Sequence, residues 1–328
     1  MYKYILKRLA MMIPVLIGVT FVVFFILALS PGDPAKMILG EQATQESIDQ
    51  LRDQLGLDDP IIVRYLRYMG GVLQGDLGRS YKNNLDVAEQ VLSRFPNTLI
   101  LAVAGMIVAL AIGVPIGILS ARKQYSLLDN VSTVLGLVGV AMPNFWLGLL
   151  LSMLFALKLG WLPSSGMGQG FWPLLRSLIL PAVTLGVGQA ATVLRMTRSS
   201  MLEVIRQDYI DTARSKGLKE KFVVRRHMLK NALVPIITVV GLQFGQLLGG
   251  AALTETIFSW PGLGRFMVDN IKTKDMPLVL GSVLLLSVSY SIVNLLVDIL
   301  YAYVDPRIKS QYISGKKHRE KKTAESAA

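Results

Sequence analysis

Six uncharged runs set the terms for this chain: residues 9–29, 99–120, 131–157, 177–194, 232–253 and 277–297. Crossing about 30 Å of hydrocarbon takes roughly 20 helical residues, and a helix satisfies all of its own backbone groups in lipid. The pattern predicts an all-α polytopic membrane protein with six transmembrane helices. Composition agrees, with 52% hydrophobic and only 17% charged residues, where soluble domains carry about 25%. The first run is read as a retained span, because its 21 residues exceed the usual apolar core of roughly 7–15 in a secretion signal.

Charge orients the spans. With the N-terminus, the loops 121–130 and 195–231 and the tail from Asp298 on one side, that side holds 22 Lys/Arg and 9 Asp/Glu. The other side holds 12 basic and 13 acidic residues. The positive-inside tendency places both termini in the cytoplasm. The net charge of +12 is then explained by topology, and no nucleic-acid partner is called for.

Four regions follow. Residues 1–30 form an N-terminal tip and the first span, which stops at "SPGDP", where proline withholds backbone donors. Residues 31–98 form an extracytoplasmic segment patterned for helices. Ile48, Leu51 and Leu55 share a face that ends at Gly56; Asp59 and Pro60 read as N-cap and first helical residue before a stripe of Ile61, Tyr65 and Tyr68. Residues 95–304 hold spans two to six with the loop 195–231, and 305–328 form a basic tail that reads as disordered. Glycines at four-residue spacing, Gly113/Gly117 and Gly241/Gly245/Gly249, let helix backbones approach closely, either within the chain or against a partner subunit.

The polar inventory excludes several functions. By these boundaries the spans contain no Asp, Glu, Lys, Arg or His, whereas ion-coupled carriers usually place ionisable groups in the membrane. Neutral Asn144, Gln189, Gln243 and Gln246 are the candidates for a translocation path; Asn294 is a further polar group in the last span. There is no cysteine, and the two histidines lie in basic polar segments, so no metal site is expected. No catalytic constellation and no GxxxxGK[ST] phosphate loop occur. Uphill transport would need work from another protein, while a facilitator or a membrane scaffold would not.

The stretch "DTARSKGL", residues 211–218, lies in the most strongly charged loop. Asp208 and Asp211 occupy the first turn of a short helix starting near Gln207, Arg214 and Lys216 its last turn, and Gly217 the stop. Ile210, Ala213 and Gly217 share one face, whose small residues could seat in a groove on another protein. A second amphipathic segment, "EKFVVRRHMLKNALVP", leads into the fifth span.

Asp211-Thr212-Ala213, with Gly217 four residues on, resembles the cytoplasmic EAA loop of ABC importer permeases. Further stretches such as "GLDDPIIVRYLRYMGGVLQGDLGRS" and "GLQFGQLLGGAALTETIFSWPGLGRFMVDNI" resemble the dipeptide/oligopeptide/nickel permease group, in its B-type subunit. The resemblance covers nearly the whole chain apart from roughly the last fifteen residues. It implies a type I ABC importer transmembrane domain over 95–304 in a bacterial or archaeal cytoplasmic membrane. It also implies a second homologous permease subunit, two ATP-binding-cassette ATPases that hold the ATP and magnesium, and an extracytoplasmic peptide-binding protein. Asp211 replaces the pattern's usual Glu, and Lys230 stands where proline usually follows, so coupling roles are carried over only within 203–222. There they fall to Glu203, Asp208, Tyr209, Asp211, Thr212, Ala213, Arg214, Lys216, Gly217 and Leu218. The outer turn "SWPGLGR" offers Trp260, Pro261, Gly262, Gly264 and Arg265 as contacts for the binding protein or, alternatively, as a turn packed at the outer surface.

Overall fold

The computed structural model describes residues 2–40 and 42–304. Its described residues are mostly helical, with α1 at Tyr2–Leu29, α2 at Pro34–Leu39, α3 at Gln45–Leu55 and α4 at Ile61–Leu73. Then come α5 (Val87–Arg122), α6 (Leu127–Ala141), α7 (Asn144–Leu151), a π-helical turn at Ser152–Lys158, α8 (Phe171–Ile205) and α9 (Asp208–Ser215). The chain continues through α10 (Glu220–Phe222), a second π-helical turn (Val223–Leu229), α11 (Lys230–Gly250), α12 (Ala252–Ile257), α13 (Leu263–Lys272) and α14 (Met276–Val304). The tail 305–328 lies outside the described residues.

Five segments are long and apolar enough to cross a membrane: Ile5–Leu29, Val87–Arg122, Phe171–Ile205, Glu220–Gly250 and Met276–Leu300. The sixth expected span, 131–157, is not one helix. It breaks after Ala141 and bends by 101° into the second half. Pro143 is the cause, since it lacks an N–H and pushes Met142 out of the helical region. The weakest expected span, 177–194, is by contrast embedded in the 35-residue α8, so the region 195–205 is helix and not loop. In the outer segment α4 begins at Ile61 with Pro60 as its N-cap; Asp59 instead pairs with Arg67 at 2.6 Å.

The chain divides into two compact units. One comprises the described parts of Met1–Val108, Met142–Gly188 and Gly245–Ser291. In it α4 is anchored on α1 through Tyr65, whose hydroxyl donates to Ile17 O at 2.9 Å and whose ring meets Phe21 and Phe24 edge-on. Met276 and Leu280 complete that core. The segment before α5 is tied to the start of α14: Ser80 Oγ donates to Asp275 Oδ2 at 2.6 Å and Tyr81 N to Oδ1 at 3.2 Å.

The other unit comprises the described parts of Ala109–Ala141, Gln189–Phe244 and Ile292–Ala328. There the glycine spacing serves packing within the chain. A Cβ on Gly113 would lie 2.7 Å from Ala190 O, one on Gly117 2.7 Å from Thr197 Cβ, and one on Gly241 2.0 Å from a Val297 methyl. Gly249, in the first unit, has nothing within 4 Å. Helix α6 exposes Val131, Val134, Leu135, Leu137, Val138 and Val140.

These contacts make a direct prediction. Gly113→Leu forces a side chain into backbone and should destabilise by about 1–3 kcal/mol, read as a lowered thermal transition in detergent. Gly249→Ala should hold or raise it, by up to about 1 kcal/mol of helix propensity.

Candidate functional site

Helix α9 is short and highly charged, and isolated helices of eight residues are marginal in water. Its stability comes from one side. Ile210 and Ala213 are 0% and 5% exposed and join Met201, Val223, Val224 and Met228 in a single apolar cluster. The second π-helical turn supplies three of those residues. Burying a side chain such as Ile210 contributes about 1.5–3 kcal/mol, and it orients the helix.

The ends are finished locally. Asp208 and Asp211 lie in the first turn, where negative charge complements the helix dipole. Gln207 is the N-cap residue but makes no side-chain cap bond. Thr212 Oγ1 donates to Asp208 O at 3.0 Å. Arg214 bridges Asp211 at 3.4 Å and Glu220 at 3.2 Å, holding α9 against α10. Lys216 is the C-cap residue, not a member of the last turn, and Gly217 follows at φ +74°, the left-handed geometry that glycine tolerates.

This arrangement corrects one expectation. The small-residue face carrying Ile210 and Ala213 is turned into the protein's own core, so it is not the surface offered to a partner. The exposed face carries Asp208, Tyr209, Asp211, Thr212, Lys216, Gly217 and Leu218. Tyr209 and Leu218 are 42% and 38% exposed, two apolar points in a polar surface. Glu203 is exposed nearby on α8, and Gln207 Nε2 donates to its carbonyl at 3.4 Å.

Behind this surface a buried acid fixes the end of α8. Arg198 Nε donates to Asp129 Oδ1 at 2.6 Å and Nη2 to Oδ2 at 2.9 Å, a bidentate pair. Ser120 Oγ donates to the same carboxylate, and Tyr125 N donates to Oδ2 at 2.9 Å. One buried carboxylate therefore joins the end of α5, the following loop, the start of α6 and α8. Nothing local in the sequence marks this role, since the arginine partner of Asp129 lies 69 residues away.

The neutral polar candidates fall in different places. Gln243 Nε2 donates to Gln189 Oε1, so in the second unit these two side chains are hydrogen-bonded to each other. In the first unit Asn144 opens α7 half-buried, and Gln246 is exposed. Asn294 Oδ1 is buried with no hydrogen-bond partner.

In the outer turn, Trp260 is 0% exposed, and its Nε1 donates to Asn97 O at 2.9 Å. Asn97 Nδ2 donates back to Pro261 O at 2.9 Å. Gly262 and Gly264 are also buried, while Pro261 and Arg265 keep partial exposure. Glu255, which is not among the residues expected from the sequence, lies beneath them fully buried. It accepts from Thr98 Oγ1 at 2.7 Å and Arg265 N at 2.8 Å. Thr98 Oγ1 in turn accepts from Leu263 N at 2.8 Å. Burial pushes the Glu255 carboxyl above its ordinary range, against the pull of these donors. A Cβ on Gly262 would lie 2.3 Å from the Glu255 carboxyl carbon, so its glycine is required by that carboxylate. The signal was there: an acidic residue immediately after an apolar span.

The class of protein follows from the family of the chain, which is that of transmembrane subunits of binding-protein-dependent transport systems. Residues 113–310 match the family described as "Binding-protein-dependent transport system inner membrane component", and residues 1–102 match its N-terminal membrane component. The chain belongs to this family. It is 46% identical to a dipeptide transport system permease protein of Alkalihalophilus pseudofirmus, over 94% of this chain and 100% of that one. It is 44% identical to a glutathione transport system permease protein of Salmonella paratyphi A and 41% identical to an oligopeptide transport system permease protein of Bacillus subtilis. Both matches cover 94% of this chain, and 99% and 100% of those relatives. Among solved structures, an inward-facing methionine ABC transporter aligns with TM-score 0.53 at 20% identity, over 66% of this chain and 96% of that one. That alignment supports the fold.

The orientation of α9 has a measurable consequence. Ala213→Leu should overpack the inner cluster and lower the thermal transition, by about 1–3 kcal/mol of stability. Tyr209→Ala, on the outer face, should leave it within about 0.5 kcal/mol.

Proposed function

We propose that this chain is the permease subunit of an ATP-driven importer of di- and oligopeptides, with α9 as its coupling helix to partner ATPases. The observation that carries the reading is the geometry of α9, a helix pinned by apolar residues on one side and presenting charge, Tyr209 and Leu218 on the other. A helix fixed on its own core transmits a push to the spans it is packed beside, whereas a mobile loop would absorb it. ATP and magnesium belong to two ATPase subunits. A second homologous permease completes the pore, and an extracytoplasmic binding protein delivers cargo. The charge asymmetry supports a cytoplasmic position for both termini and α9, in a bacterial or archaeal inner membrane.

Relatives named for dipeptides and oligopeptides support the peptide cargo. A relative named for glutathione, itself a modified tripeptide, widens the class without leaving it; a chelated nickel ion is the remaining alternative. The Gln189–Gln243 pair and the absence of ionisable residues from the assigned spans suit a path that tolerates varied neutral backbones. The outer turn acts as a rigid platform, with Pro261 and Arg265 as the groups able to meet the binding protein.

The test is uptake of a labelled dipeptide by vesicles holding the permease pair, the ATPases and the binding protein. Uptake should require ATP and should fall at least tenfold in the double variant Tyr209→Ala/Leu218→Ser, with protein levels unchanged. Accumulation against a gradient by this chain alone would contradict the reading.

A further inference from the structure

A cavity of about 300 Å3 opens between α6 and α8 in the second unit. Its two ends differ in chemistry. Toward the start of α6 and the end of α8 it is lined by Thr133, Arg195, Arg198 and Ser199. One to two turns further into the helices the lining is Gly136, Leu137, Ala191 and Leu194. From Arg198 back to Ala191 is seven residues, or about 10 Å along the helix axis.

The charges at the polar end are not equivalent. Arg198 is held by Asp129 through Nε and Nη2, so that pair is close to neutral. Arg195 is exposed and has no acidic partner among the described residues. One uncompensated guanidinium therefore sits at the mouth of an apolar slot, beside the exposed hydroxyl-bearing Ser199. Gly136 widens the slot, since a Cβ there would meet nothing within 4 Å.

We propose that this cavity binds an anionic phospholipid of the inner leaflet. The phosphate would lie against Arg195 and Ser199, and the first part of an acyl chain would lie along Gly136, Leu137 and Leu194. Two observations favour a lipid over a free anion or a peptide. The apolar end is lined by Ala191 and Leu194, which belong to the uncharged run 177–194, where an acyl chain would lie. The cation stands at the membrane boundary on the side that the charge asymmetry assigns to the cytoplasm, where anionic headgroups recruit basic pockets between helices. A free phosphate would use only the mouth and leave the apolar slot empty. The site's effect is to brace α6, whose outer face is apolar and exposed, against the end of α8 that leads into α9.

The experiment uses the full chain in nanodiscs of phosphatidylcholine doped with a diazirine-tagged lipid, either phosphatidylglycerol or phosphatidylcholine. Labelled peptides are mapped by mass spectrometry. The phosphatidylglycerol probe should label 133–137 and 191–199 in preference to the phosphatidylcholine probe by roughly five-fold, as expected for one arginine at the membrane surface. Arg195→Gln should abolish that preference while general labelling persists. Gly136→Phe should fill the slot and lower labelling by both probes. Equal labelling by the two headgroups, or an unchanged preference in Arg195→Gln, would overturn the proposal. In discs that also contain the partner permease, loss of all lipid labelling at this site would assign the cavity to a protein interface and overturn it equally.

Discussion

The burial of Ile210 and Ala213 against Met201, Val223, Val224 and Met228 is the contact on which the functional geometry rests. A helix of eight residues with charges at both ends has little reason to persist alone. Seated on that cluster, it acquires a fixed roll about its own axis. The roll decides that Tyr209, Asp211 and Thr212 face outward, and so decides which residues a partner could grip. The same cluster includes Ala121 from α5 and Ala232 and Ile236 from α11, so force on α9 reaches several spans at once.

Polar groups in this protein are used as fasteners. Asp129 gathers Ser120, Tyr125 and Arg198, and Glu255 gathers Thr98 and the backbone of the outer turn. Each is a buried carboxylate surrounded by donors, an arrangement that is strongly destabilised if only one partner is removed. Both lie near the ends of spans, where helices must be held in register while the spans themselves offer lipid-like surfaces. Within the assigned spans the polar residues are neutral, and Gln189 and Gln243 are hydrogen-bonded to each other. That division leaves the uncharged runs of the assigned spans without ionisable side chains.

Much of this was legible in the sequence, for reasons that can be named. Lipid demands long apolar helices, so the spans announce themselves, and the stop expected at Gly56 is the C-cap of α3, whereas the N-cap expected at Asp59 falls to Pro60. The break at Pro143 was readable in principle but was masked by unbroken hydrophobicity from 131 to 157. The extension of α8 past residue 194 was hidden because Arg195 and Arg198 look like loop residues until Asp129, far away in sequence, is brought beside Arg198. Helical spacing showed that Ile210 and Ala213 share a face of α9. It could not show that the face points inward, because the surface covering it comes from the π-helical turn 223–229. Small residues fit an intimate contact with any neighbour, and here that neighbour is the chain itself.

The central claim, that α9 docks by its outer face and is anchored by its inner one, is open to a direct measurement. The chain has no cysteine, so single cysteines can be placed at Thr212 and at Ala213 without removing others. The account predicts that a membrane-impermeant maleimide applied from the cytoplasmic side labels Thr212→Cys rapidly in the isolated permease and slowly once the ATPases are bound. Ala213→Cys should stay unreactive in both states. Rapid labelling of Ala213→Cys, or equal labelling of Thr212→Cys with and without the ATPases, would contradict it.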